Sequence, residues 1–142
     1  MNQTQKQLVQ TTFAQVAEIS DTAAALFYQR LFELDPQLRP LFKGDLREQG
    51  RKLMQMLAVA VGNLNYPETL LPALRALGAR HRGYGVEARH YETVGTALLW
   101  TLEQGLGTAF TDEARAAWTA VYTLVAETMQ QPEVATAAAH AA

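Results

Sequence analysis

A chain of 142 residues fits one domain and is long enough to bury a core without cross-links. Apolar residues make up 49% and charged residues 18%, the balance of a globular chain, and the net charge of -2 gives the surface as a whole no attraction for nucleic acid or an anionic membrane. Cysteine is absent, which excludes disulfides, thiolate metal sites, cysteine nucleophiles and Cys-ligated iron–sulfur clusters. The opening residues Met1 to Gln7 lack the apolar stretch of a signal peptide, and no run reaches the ~18 apolar residues of a spanning helix. A cytoplasmic location is the expectation.

Turn residues leave helix-length segments between them, and strand-like alternation is scarce, so the pattern predicts an all-α domain. The first helix is expected from about Gln5 to Ile19, with Leu8, Val9, Phe13 and Val16 on one face. Ser20 or Asp21 can cap the second, which carries Phe27, Tyr28, Leu31 and Phe32 and ends at Asp35-Pro36. A short turn spans Gln37 to Phe42. Gly44-Asp45 opens a long helix to about Asn63, striped by Leu53, Met56, Leu57, Ala60 and Val61. Tyr66-Pro67 starts a segment whose face reads Leu70, Leu74, Leu77 and His81, broken by Gly83 and Gly85. A helix follows from about Ala88 to Leu106. Thr111-Asp112-Glu113 starts the last, with Trp118, Val121, Tyr122, Val125 and Met129 inward. The ordered domain is expected over residues 1–131. The Ala-rich tail, residues 132–142, has little to pack with and is expected to be flexible.

His81 continues a buried stripe, four residues after Leu77 and seven after Leu74. Spacing alone favours a core histidine satisfied by a hydrogen bond. It is also compatible with a neutral imidazole held as a ligand for a cofactor iron. No histidine or carboxylate stands three or four residues away on its face, so a structural zinc site is set aside, as is a di-iron bundle built on Glu-x-x-His. Arg80 and Arg82 flank it, as solvated charges or as partners for a cofactor's carboxylates. His90 is expected to be exposed, and His140 lies in the tail.

Three groups of residues carry a resemblance. Phe27 to Phe32 with Asp35-Pro36 and Leu41-Phe42 form one. Gln49, four residues before Leu53, is the second. Arg80-His81, Tyr84-Gly85-Val86, His90-Tyr91, Val94-Gly95 and Leu98-Leu99 form the third. Over residues 5 to 131 the chain resembles bacterial single-domain haemoglobins, the globin domain of flavohaemoglobins, and neuroglobins. The resemblance implies the globin fold, a three-over-three helical sandwich, holding haem b. It makes His81 the iron ligand, Phe42 a ring stacked on the porphyrin, Tyr28 and Gln49 the polar groups opposite, and Leu53 the apolar roof. Lys52, Leu77, Arg80, Tyr84, Val86, Tyr91 and Val94 complete the implied cofactor pocket.

Two departures stand out. Flavohaemoglobin-like globins pair a tyrosine, here Tyr91, with a glutamate beside the proximal histidine, but the expected position holds Ala135, with Glu133 two residues before it. No reductase module follows within the 142 residues. The resemblance therefore implies reversible dioxygen binding first. Nitric oxide dioxygenation with a separate reductase is an associated activity, and a globin-like sensor or interaction module is the alternative. Either a monomer or a homodimer is compatible with the sequence.

Overall fold

The computed structural model describes residues 1–132; the tail from Glu133 on, with Ala135 and His140, lies outside the described residues. Six α-helices follow one another: α1 (Gln3–Ala17), α2 (Ser20–Leu34), α3 (Leu46–Gly62), α4 (Pro67–Gly83), α5 (Ala88–Leu106) and α6 (Asp112–Met129). A 3-10 turn, Pro36–Leu41, joins α2 to α3, and a shorter one, Gly107–Ala109, joins α5 to α6. No strand occurs among the described residues.

Local chemistry sets most of the boundaries. Asn2 accepts from the Gln5 backbone N–H at 2.8 Å while the Gln5 side chain accepts from the Asn2 N–H, so α1 begins two residues before the expected position. Its last turn closes at Ala17 rather than Ile19, and Ile19 lies exposed in the bend. Ser20 is the first residue of α2, and its N-cap, Ile19, makes no side-chain bond. Asp35 accepts from Gln37 N–H and Pro36 follows it, which stops α2 and starts the 3-10 turn. Asp45 and Thr111 cap α3 and α6 as the sequence suggests, through Arg47 N–H at 2.9 Å and Ala114 N–H at 3.1 Å.

The helices form two layers, α1, α3 and α4 against α2, α5 and α6. The main packings are α2 on α5, α1 on α6, α2 on α3, and α4 on α6. The largest fully buried side chains are Trp118, Leu31, Leu102 and Val9. Trp118 donates its indole N–H to the Thr12 hydroxyl at 2.8 Å, and that hydroxyl donates to Leu8 C=O, so the polar edge of the ring is satisfied inside the core. One pattern matters for the site. The helices α3, α4 and α5 do not pack closely on one another; each rests on other helices. Their facing apolar side chains, among them Leu53, Leu57, Leu77, Val94 and Leu99, stay only half-buried.

Glycine at position 78 fixes where α4 lies. A β-carbon there would fall on the Met129 carbonyl, so α4 crosses the end of α6 with backbone against backbone. Gly95 serves α5 in the same way, since a β-carbon would stand 2.7 Å from the Tyr122 ring. Gly62, at the end of α3, faces open space. Gly78→Ala is therefore expected to lower the unfolding free energy by about 1–3 kcal/mol, the usual cost of overpacking. Gly62→Ala should leave it unchanged or raise it by about 0.5–1 kcal/mol. Urea unfolding of the two variants beside the wild type measures both.

Candidate functional site

His81 sits in the last turn of α4, half-buried, with Nδ1 2.8 Å from Leu77 C=O. Nδ1 in this position carries the proton and donates it. The bond fixes the ring's orientation and leaves Nε2 as the nitrogen available to bind. The corner after α4 folds back on the same turn: Tyr84 N–H donates to Arg80 C=O at 3.2 Å and Val86 N–H to His81 C=O at 3.1 Å. Tyr84 places its ring 6.0 Å from the imidazole yet is 64% exposed. Gly85, at φ +94°, makes the bend, and a β-carbon there would stand 3.5 Å from Leu41. The corner following α4 therefore lies beside the corner preceding α3.

On α2, Tyr28 is buried among aromatic rings. It meets Phe27 and Phe42 edge to face at 5.2 and 5.3 Å and stacks on Phe32 at 6.1 Å. Burial pushes its phenol up to about 12, so it carries its proton, and can donate it, throughout the neutral range. Phe42 ends the 3-10 turn, half-buried, and also meets Phe32 edge to face. Gly50 brings α3 close to α2, where a β-carbon would stand 2.9 Å from Ala24 Cβ and 3.9 Å from the Tyr28 ring. Gln49, next along α3, is half-buried. Leu53 lines a narrow apolar cavity with Phe27, Met54, Leu57, Leu98 and Trp118.

The remaining predicted residues divide by burial. Leu77, Val86, Tyr91 and Val94 are half-buried; Lys52, Arg80 and Tyr84 are exposed. Tyr91 is held through its backbone, where the Tyr122 hydroxyl donates to its carbonyl at 2.6 Å. The Tyr91 hydroxyl itself is buried without a partner among the described residues. Burial raises the Tyr91 phenol, and the nearby Arg82 guanidinium partly offsets this. Arg82 donates to Met129 C=O at 3.0 Å, adding a side-chain link where α4 crosses α6. The expected glutamate partner of Tyr91 falls at positions 133 and 135, outside the described residues.

One expectation is overturned. His90 is 6% exposed, not solvent-facing. It stands in the first turn of α5, where its Nδ1 accepts the Glu87 backbone N–H at 2.9 Å. Glu87 to His90 is a Glu-x-x-His sequence, which the sequence reading had taken to be absent, and the structure uses it as a helix cap. Among the described residues no group of three His, Asp or Glu side chains could hold a metal ion.

The sequence reading missed Gly50, Gly78 and Gly95 as contact points. Their signal was a glycine inside a helical stripe, which costs helix stability unless another backbone or ring needs the space.

Comparison with known proteins agrees with this architecture. The sequence profile described as Globin matches residues 25–129, and the chain belongs to the globin family. It is 29% identical over 136 residues to a flavohemoprotein of Halalkalibacterium halodurans, covering 94% of this chain and 33% of that protein. It is 31% identical over 129 residues to a flavohemoprotein of Xylella fastidiosa, covering 89% and 32%. The chain thus spans about a third of the length of these relatives. Among solved structures it superposes with a TM-score of 0.83 and 27% identity on an engineered carbene transferase made from a protein assigned as a nitric oxide dioxygenase of Rhodothermus marinus. That match covers 100% of this chain and 99% of the other.

The buried phenol makes the pH dependence of stability specific. Tyr28 has a folded-state value above its unfolded value of about 10, so its contribution is fully present below pH ~10 and is lost as pH rises through 12. Urea midpoints measured from pH 8 to 12 should fall less steeply at the alkaline end in Tyr28→Phe than in the wild type. Parallel alkaline limbs would show that Tyr28 ionises as readily folded as unfolded.

Proposed function

We propose that this chain holds haem b on His81 Nε2 and binds dioxygen reversibly, with nitric oxide dioxygenation as an associated activity that draws electrons from a separate reductase. The observation that carries this reading is the His81 imidazole, locked by Leu77 C=O into the tautomer that leaves Nε2 as a donor. A single neutral nitrogen suits a cofactor that brings four equatorial donors of its own. The half-buried apolar faces of α3, α4 and α5, which do not close on one another, fit a flat apolar group. Leu77, Val86 and Val94 would line its His81 side, with Phe42 and Leu53 opposite. Lys52 and Arg80, both exposed, would meet its carboxylates at the edge.

Haem bound there supplies an iron centre that takes a diatomic ligand and places partial negative charge on it. This chain's residues then decide how long the ligand stays. Tyr28 is protonated at neutral pH and donates its O–H; Gln49 offers an amide N–H. A hydrogen bond to a charged acceptor is worth about 1.5–3 kcal/mol, which slows ligand release about ten- to a hundredfold. Leu53 and the apolar cavity beside it keep water from competing for those donors. Turnover as a dioxygenase consumes electrons, and a partner reductase would deliver them. The flavohemoprotein relatives, about three times this length, support this reading by kinship. None of the described helices is long and apolar enough to cross a membrane, and we place the protein in the cytoplasm.

The test is spectroscopic. Purified protein given haem should show a Soret band that His81→Ala weakens or shifts, and a colourless product after reconstitution would overturn the reading. Stopped-flow dioxygen release should be about ten- to a hundredfold faster in Tyr28→Phe. An unchanged release rate would remove Tyr28 from the ligand's side of the pocket.

A further inference from the structure

The chain is acidic overall, yet its exposed cations are gathered in one place. Residues 39–52 and 80–89 hold eight of the twelve basic residues and three of the fourteen acidic ones. All eight are exposed, and outside these segments Arg115 is the one other exposed basic residue. The two segments are far apart in sequence but adjacent in space. Gly85 lies against Leu41, which sets the corner after α4 beside the corner before α3. Lys43, Arg47 and Lys52 come from one corner, Arg80 from the other, and none of the four forms an ion pair among the described residues. In the corner after α4, next to Gly85, stands Tyr84, a large exposed ring 6.0 Å from the His81 imidazole.

We infer that this edge is a docking face for an acidic electron-donor protein, with Tyr84 as its apolar centre. The inference rests on the function proposed above, because an electron donor is of use only where a redox centre lies behind the face. Four features favour a protein over a polyanion. The net charge of -2 repels nucleic acid and anionic lipid at long range. Asp45, Glu48 and Glu87 interrupt the cations, so no continuous phosphate track exists. An exposed tyrosine within a charged rim is the composition of a protein interface. The surplus is local, and local charge acts within about one Debye length of 8 Å, the range of a docking encounter. The two carboxylates of haem b would neutralise at most two of the eight cations.

The test uses the haem-loaded ferric protein and a reduced flavodoxin of net negative charge as the donor. The second-order rate of haem reduction, followed by stopped flow, should fall about tenfold or more between about 20 and 300 mM salt. A Lys43→Glu/Arg47→Glu/Arg89→Glu variant should be about tenfold slower at low salt and should lose the salt dependence. Its reduction by a small neutral donor should match the wild type. Equal rates and equal salt dependence in the two proteins would overturn the inference. So would tighter capture of the wild type by phosphatidylglycerol vesicles or duplex DNA than by the flavodoxin. Fluorescence anisotropy with labelled flavodoxin separates the two proposals. Salt-sensitive binding to a chain that takes up no haem overturns the proposed function and leaves the surface standing. Haem uptake without such binding overturns the surface alone.

Discussion

The backbone contact of α4 with the end of α6 at Gly78 is the constraint on which the arrangement depends. α4 has little other support, since α6 is the helix it packs on, and it carries His81 one turn beyond the crossing. Arg82, one turn along α4 from Gly78, reinforces the crossing by bonding the same Met129 C=O. The position of the imidazole is thus set by how near two backbones can come, which only a residue without a side chain permits.

The two sides of the candidate site are built by different means. The Tyr28 side is an aromatic cluster: Phe27, Phe32 and Phe42 surround the phenol, and the low-dielectric setting keeps its proton in place. The His81 side is built from backbone carbonyls and turns. Leu77 C=O orients the ring, and Val86 N–H ties the following corner to His81 C=O. Rings exclude water around a donor, while carbonyls fix the tautomer of an acceptor. Tyr122 adds rigidity behind them by packing over Gly95 and bonding Tyr91 C=O.

Much of the fold was legible because helix signals are local. Asp45, Thr111 and Asp35-Pro36 set their boundaries through bonds within a few residues. The stripes of α3 to α6 gave the buried faces. The His81 stripe left two readings open, because periodicity shows which face is buried and not what covers it. The resemblance to globins chose between them on Tyr28, Phe42, Gln49 and Tyr91. His90 was misplaced because a charged neighbour, Arg89, suggested exposure, while the ring's actual use is a cap to Glu87 N–H beneath the start of α5. Gly78 and Gly95 were unreadable in role, since a close approach belongs to two segments and appears in neither alone.

The hydrogen bond from Arg82 to Met129 joins residues 47 apart in the chain. Ribosomes add about 5–20 residues per second, so α4 leaves synthesis some seconds before its seat on α6 exists. Until then the His81 helix is a tethered, amphipathic segment whose apolar face has no partner. The proposed ligand is therefore among the last residues to reach its final place, and capture of a cofactor on His81 would be coupled to completion of α6 rather than to the making of the ligand itself.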